Sequence, residues 1–331
     1  MSTSNKTKVA VLDDWQDVAR KSADWFELEQ RADVTIFPDA FENEDAAAEG
    51  LADFDIVLSM RERTPLPASL INRLPKLRLL GMTGARNASL DTPACTARGI
   101  VVCNTQGGGY TDSATAELAL GLLIAAARGI PKADDNMRNG LFQRGVPMGM
   151  GLAGKTMGIV GLGRLGGYMA TYCKALRMHV VAWSQNLTAA RCAEVGVDLV
   201  SKEQLLRDSD AISIHMVLSP RSRGMIGAEE IARMKLGAIL INTSRGPLID
   251  EDAMLAALQQ NRIVAALDVY DKEPLPEDHP LRRLSNTILV PHLGYGVKET
   301  WDGFYPQMIE NALAFLDGKP VRVINPEVLQ G

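Results

Sequence analysis

A chain of 331 residues is too long for one typical hydrophobic core, so two domains are expected. With 46% apolar and 23% charged residues, the composition is that of an ordinary globular protein rather than a disordered or membrane-spanning one. The formal net charge of −5 argues against nucleic acid as the main partner. Cys95, Cys103, Cys173 and Cys192 show neither CxxC nor Cys/His spacing, so no metal and no disulfide framework is expected. A reducing, cytoplasmic setting fits that cysteine usage. Met1 to Lys8 is polar and lacks the apolar core of a secretory signal. The longest apolar stretch, Ala114–Ala127, is interrupted by Glu117 and falls short of the roughly 20 residues a membrane helix needs, so no membrane partner is expected.

The first hundred residues alternate short apolar runs with helical patterns. Val9–Leu12, Val34–Phe37, Ile56–Met60, Leu77–Met82 and Ile100–Cys103 read as strands bounded by polar or turn residues. A helix is expected at Pro93–Arg98, with Asp91 or Thr92 as cap and proline in its first turn. Ala114–Arg128 is a helix apolar nearly all round, which must be buried on every side; a connector that packs in a homodimer interface would satisfy this, and so would an ordinary core helix. After a Gly- and Met-rich loop at 145–154 a second array begins. Its strands are Met157–Val160, Val180–Trp183, Ala211–Met216, Ala238–Asn242, Val264–Leu267 and Ile288–Val290. Ser201 to Gln204 reads as a capping box, with Gln204 reaching back. Lys298–Leu316 is an amphipathic helix expected to return to the first domain.

This β-α alternation implies parallel sheets covered by helices on both faces. The expected architecture is α/β: two doubly wound domains, with the active-site cleft between them. Residues 107–295 would form a dinucleotide-binding Rossmann domain. Residues 1–106 and 296–331 would form a flavodoxin-like substrate domain.

Gly161-Leu162-Gly163-Arg164-Leu165-Gly166 follows the strand Met157–Val160 and opens a helical stretch, the context a dinucleotide fingerprint requires. Gly161 permits the tight turn, Gly163 lets backbone approach a pyrophosphate, and Gly166 allows close helix–strand packing. The amides and positive end of the helix would then hold phosphate. The next strand should end in an acid for the adenosine ribose, yet Val180–Trp183 is followed by Ser184-Gln185-Asn186. No carboxylate there repels a 2′-phosphate, and no Arg or Lys adjoins Ser184 to grip one; Arg191 is the nearest cation downstream. NAD(H) and NADP(H) both stay open, with a lean to NAD.

Arg245, Glu273 and His292 each stand just past the C-terminal end of an expected strand, the edge where open parallel sheets bind ligands. Arginine can clamp a carboxylate with its planar fork. An imidazole, whose unperturbed pKa is about 6.5, can pass a proton to a developing alkoxide, and a carboxylate can support it. That order of groups suits hydride transfer to an anionic carbonyl compound.

From about Asp55 to Pro320 the chain resembles the D-isomer-specific 2-hydroxyacid dehydrogenase family, which includes phosphoglycerate, glycerate/hydroxypyruvate and D-lactate dehydrogenases. The resemblance lies in Gly-Leu-Gly-Arg-Leu-Gly at 161–166 and Asn-Thr-Ser-Arg-Gly-Pro-Leu-Ile-Asp-Glu at 242–251. It continues in Leu-Asp-Val-Tyr-Asp-Lys-Glu-Pro at 267–274 and Pro-His-Leu-Gly at 291–294. It implies that Arg245 binds the substrate carboxylate, His292 is the acid/base, and Glu273 pairs with His292. It further implies that Asp268 binds the nicotinamide carboxamide, and that Thr243, Ser244 and Gly294 stand on the cofactor side. His215 would lie near the adenosine end. Thr83 to Asn87 occupies the place of a loop whose amides hold the substrate carboxylate, so Gly84, Ala85 and Arg86 become substrate contacts. Many relatives have Gly-Val-Gly where this chain has Gly84-Ala85-Arg86, which puts a cation near the pocket. Arg61 and Arg63 sit on a second pocket loop. Together these arginines suggest a substrate with a second anion; the competing reading leaves two of them solvated or paired with Glu62 and Asp91.

The expected activity is reversible NAD(P)-dependent reduction of a small 2-oxo acid to its D-2-hydroxy acid. Two alternatives share the scaffold: phosphite-type oxidation, and a dinucleotide-sensing binding protein of the C-terminal-binding corepressor type. Formate oxidation is disfavoured, because that branch pairs its histidine with Gln rather than with a residue like Glu273.

Overall fold

The computed structural model describes residues 6–106 and 112–330. They form two compact units, Met1–Thr111 with Val297–Gly331, and Asp112–Gly296. In the first unit, strands β1 (Thr7–Val11), β2 (Ala32–Ile36), β3 (Ile56–Ser59), β4 (Leu79–Met82) and β5 (Val101–Asn104) form an all-parallel sheet in the order β2-β1-β3-β4-β5. Every residue of β3 and β4 is buried, as expected for strands covered on both faces. Asp91 caps the helix Thr92–Ala97 by accepting the Ala94 amide at 2.9 Å. The helix Lys298–Leu316 runs through Pro306 and buries Trp301, Tyr305, Met308 and Ile309 in this same unit. Burial of that face outweighs the lost proline N–H. Tyr305 is 0% exposed, and its hydroxyl donates to Asp14 Oδ1.

The second unit holds β6 (Thr156–Val160), β7 (His179–Trp183), β8 (Asp198–Leu199), β9 (Ala211–Ile214), β10 (Ala238–Asn242), β11 (Ile263–Leu267) and β12 (Thr287–Leu289). Their order is β12-β11-β10-β9-β6-β7-β8, again all parallel. The chain starts in the middle at β6, winds one way through β7 and β8, then returns through β9 to β12. The direction therefore reverses between β6 and β9, which is where a doubly wound sheet binds ligands.

Most expected strands shift by a residue or two at their ends, and other expectations need correction as well. The segment Ala211–Met216 stops being a strand at Ile214, and Leu77–Met82 begins pairing only at Leu79. Ser201 accepts the Gln204 amide as expected, but the Gln204 side chain turns to Asp208 instead of returning to the cap. The helix Ala114–Arg128 sends Ala119, Leu122, Leu123 and Ala127 into the core beneath the second sheet. Its other face is not enclosed within this chain: Leu118, Leu120 and Ile124 are half-buried, and Gly121 is exposed.

All four cysteines are free and buried. Burial pushes the thiols of Cys95, Cys103 and Cys173 up to about 12. Among the described residues no cluster could hold a metal ion, and no single helix is long and apolar enough to cross a membrane.

Asp13, just past β1, is 1% exposed and left-handed (φ 62°). Its Oδ1 accepts the Thr64 hydroxyl at 2.9 Å, whereas Oδ2 is buried without a hydrogen-bond partner. Burial therefore pushes its carboxyl up to about 6, against the opposing pull of Thr64 and Arg63. A raised folded-state pKa means the contribution is complete below the unfolded value, near 3.9, and is lost as pH rises through about 6. Between pH 4 and 7 the wild type should accordingly lose about 1–3 kcal/mol of unfolding free energy relative to Asp13→Asn. Parallel denaturant titrations at several pH values check this; matching pH profiles for the two proteins would refute it.

Candidate active site

The carboxyl edge of the second sheet is organised by one carboxylate. Asp268 directly follows β11 and is 1% exposed. Its Oδ1 accepts the Leu293 amide, its Oδ2 accepts the Gly294 amide at 3.0 Å, and its carbonyl accepts the His292 amide at 2.8 Å. Three consecutive backbone N–H groups after β12 are thus tied to one residue after β11. This clamp holds His292 in the left-handed region, at φ 53°, where a non-glycine residue needs support. Burial pushes the Asp268 carboxyl up to about 6, while the Leu293 amide, His292 and the Gly294 amide pull the other way.

Glu273 is fixed from the same side. Its Oε1 accepts the Tyr270 amide at 2.9 Å, and its Oε2 stands 2.6 Å from His292 Nδ1. The Tyr270 hydroxyl donates to the Val290 carbonyl at 3.0 Å, tying the loop after β11 to the end of β12. His292 and Glu273 are about one-third exposed or less, so the pair is held by protein and still reachable.

Arg245 lies on the same sheet edge, after β10. Asn242, 1% exposed, donates from Nδ2 to the Arg245 carbonyl at 2.8 Å and accepts the Ser244 amide at 3.0 Å. The Ser244 hydroxyl is spent on the Ile214 carbonyl, and Arg245 Nη1 donates to the Ser244 carbonyl. Thr243 is buried, and its Oγ1 has no hydrogen-bond partner.

The glycine loop follows β6. Gly161 has φ +96°, and its amide donates to the Trp183 carbonyl at 2.9 Å. A side chain there would meet the His215 carbonyl at 2.4 Å; one at Gly166 would meet the Gly161 carbonyl at 2.1 Å. A Cβ at Gly163 would meet nothing within 4 Å. Gly163 is exposed and begins the helix Arg164–Ala175, whose free amides face that opening. Leu165 is half-buried in the first turn, and the Arg164 guanidinium pairs with Asp112 at 2.6 Å. His215 shares its Nε2 with the Ser213 hydroxyl, and burial pushes its imidazole down to about 4. It is therefore neutral near pH 7.

In the first unit, Arg61 follows β3 with φ 51°. Its amide donates to Thr83 Oγ1 and its carbonyl accepts Asn87 Nδ2. A side chain at Gly84 (φ +81°) would meet Arg61 Nη1 at 2.0 Å, so the guanidinium lies against the Gly84 backbone. Ala85 and Arg86 are exposed. Arg63 turns elsewhere: it donates to the Asp13 carbonyl at 2.7 Å and stacks 4.9 Å over Trp15.

The model of the D-isomer specific 2-hydroxyacid dehydrogenase NAD-binding domain matches residues 120–294. A D-3-phosphoglycerate dehydrogenase from Archaeoglobus fulgidus is 38% identical over 264 residues, covering 80% of this chain and 50% of that protein. A glyoxylate reductase from Korarchaeum cryptofilum is 36% identical over 288 residues, covering 85% of this chain and 86% of its own length. The chain belongs to the D-isomer specific 2-hydroxyacid dehydrogenase family. Both of these curated relatives are named as oxidoreductases. Among solved structures, a phosphoglycerate oxidoreductase from Vibrio cholerae has a TM-score of 0.88 at 32% identity, covering 94% of this chain and 99% of that one. The chain spans about half the length of the phosphoglycerate dehydrogenase it matches.

For a member of this family the question is whether the residues fit a nicotinamide dinucleotide, and the glycine loop does. Two glycines are imposed by backbone packing, and the third faces open space at the start of a helix. Sequence reading gave Asp268 a role toward the cofactor by resemblance and missed its grip on the His292 loop. Asn242 was likewise missed, although asparagine after a strand is a known former of such local backbone bonds.

The two kinds of glycine predict opposite phenotypes. Gly163→Ala should keep the melting temperature and weaken dinucleotide binding tenfold or more, because its Cβ fills only the open space. Gly166→Ala should lower the melting temperature by several degrees even without ligand. Thermal melts alongside equilibrium binding check both, and equal behaviour of the two variants would contradict the assignment.

Proposed function

We propose that this chain catalyses the reversible, nicotinamide-dependent reduction of a small 2-oxo acid to its D-2-hydroxy acid. The observation that carries the reading is the 2.6 Å His292–Glu273 pair, clamped on the same sheet edge as the glycine loop and Arg245. The bound nicotinamide supplies the hydride. Glu273 Oε2 holds the proton on His292 Nδ1, which leaves Nε2 to give a proton to the substrate oxygen and to take it back in the reverse direction. Arg245 holds the substrate carboxylate with its fork, its backbone bracketed by Asn242. Asp268, Thr243, Ser244 and Gly294 form the nicotinamide side. Gly161, Gly163, Arg164, Leu165 and Gly166 hold the diphosphate, with Ser184 and His215 toward the adenosine.

Arg61, Gly84, Ala85 and Arg86 complete the substrate contacts. Arg61 lies against Gly84 and pairs with Glu62 at 3.8 Å, so the exposed Arg86 is the cation that favours an acid with a second anion, a phosphate or another carboxylate. Arg63 is engaged by Asp13 and Trp15, which leaves it a structural part. Four free, buried cysteines suit a cytoplasmic setting.

Replacing His292 with Ala should lower turnover about a hundred- to ten-thousandfold while dinucleotide affinity changes little. Steady-state assays with glyoxylate, pyruvate, hydroxypyruvate and a doubly anionic 2-oxo acid test this, with the lowest KM expected for the last. Near-normal turnover of the variant would overturn the role of His292. No turnover of any 2-oxo acid by the wild type, despite firm dinucleotide binding, would overturn the activity.

We also propose a homodimer through the Ala114–Arg128 region. The open face of that helix supports it, as do Phe142 and Met148, 67% and 99% exposed in the single chain. Light scattering after size exclusion should give twice the chain mass at micromolar concentration. A monomer would refute the interface.

A further inference from the structure

The second unit carries a cleft of about 280 Å³ at the carboxyl end of β7, whose walls come from three separate stretches of chain. Trp183 and Ser184 enter from β7, Lys202 from the start of the helix Lys202–Asp208, and Ser219, Arg221 and Ser222 from the segment after β9. The end of the second strand after a glycine loop is where a doubly wound fold meets the adenosine ribose. An acid there binds the free 2′-hydroxyl, whereas an arginine accommodates a 2′-phosphate. No acidic residue lines this cleft.

Its two cations play different parts. Lys202 Nζ donates to the Met225 carbonyl and to Glu230, each at 2.8 Å, and lies 5.7 Å over the Trp183 ring. It is a fixed wall whose charge is matched by Glu230, so that carboxylate does not repel an anion in the cleft. Arg221 is exposed and sits in a turn closed by hydrogen bonds. The Ser222 and Arg223 amides donate to the Ser219 carbonyl, the Ser219 amide donates to Ser222 Oγ, and the Ser222 hydroxyl donates to the Val217 carbonyl. The turn is rigid and the guanidinium has reach. Arg191, by contrast, is held by the Leu162 carbonyl and Glu194 beside the glycine loop.

We propose that this cleft is a 2′-phosphate subsite and that the chain binds NADP(H) in preference to NAD(H). Arg221 is the clamp, Ser184 a second donor, and Lys202 the wall that holds Glu230 neutralised beside the cleft. An arginine fork matches a phosphate's oxygens in two parallel hydrogen bonds, and a phosphate monoester carries a charge near −2 at neutral pH. The preference runs against the lean that the sequence alone suggests, because folding brings in cations that do not adjoin Ser184 along the chain. It rests on the reading of the chain as a nicotinamide-dependent dehydrogenase.

Equilibrium titration of the full chain with NADPH, NADH, 2′,5′-ADP and 5′-ADP tests it without any turnover. The 2′-phosphorylated member of each pair should bind at least tenfold more tightly. Arg221→Ala should erase most of that ratio while leaving NADH affinity within about twofold, and Ser184→Asp should invert it. Firm NADH binding with equal or weaker NADPH binding overturns the subsite alone. An Arg221→Ala variant that keeps the full ratio does the same. Failure of both dinucleotides to bind the folded wild type overturns the dehydrogenase reading and the subsite together.

Discussion

The orientation of the His292–Glu273 pair depends on the grip of Asp268 on three consecutive backbone amides. A histidine with φ 53° has no intrinsic preference for that conformation, so the cost of order 1–3 kcal/mol must be met by neighbouring bonds. Asp268 supplies them through its carbonyl and both carboxylate oxygens. Once the backbone is fixed, Nδ1 meets Glu273, whose other oxygen is committed to the Tyr270 amide. The imidazole is therefore oriented by a chain of bonds that begins in the buried core and ends at the accessible pair. Preorganisation of this kind leaves little to rearrange when a substrate arrives.

At the glycine loop, the positive end offered to a diphosphate comes from backbone amides rather than from a side-chain charge. Arg164, which opens the helix after the glycine loop, is paired with Asp112, and His215 is neutral at physiological pH. What remains for a diphosphate is the set of free amides at the helix start, exposed because Gly163 presents no side chain. Family membership is consistent with this economy, since the matched domain is described by its dinucleotide binding.

Much of the fold was legible because buried parallel strands read as continuous apolar runs, and β3, β4 and β10 are apolar almost throughout. β8 escaped notice because Asp198–Leu199 is two residues long and exposed, with no apolar signal to find. The His292–Glu273 pairing could be read from residue types, strand-end positions and family resemblance. The Asp268 clamp could not, since its partners are backbone amides that leave no trace in residue identity. Ser184 showed the same limit in another form. Its missing acid was visible in the sequence, whereas its neighbours Lys202 and Arg221 become neighbours only through β9 and the loops around it.

The four buried cysteines have a practical consequence. With three thiols pushed up to about 12, the Cys192 thiol also raised by burial, and all four shielded by packing, the native cysteines are poor nucleophiles at neutral pH. Alkylating probes and mild oxidants act on the thiolate, so the folded native chain is a silent background for them. A single cysteine introduced on the surface would be the only reactive one, and spectroscopic labels could be placed at chosen positions without first stripping the native residues. Conversely, labelling of an unmodified chain would report unfolding, because only loss of the core exposes those thiols.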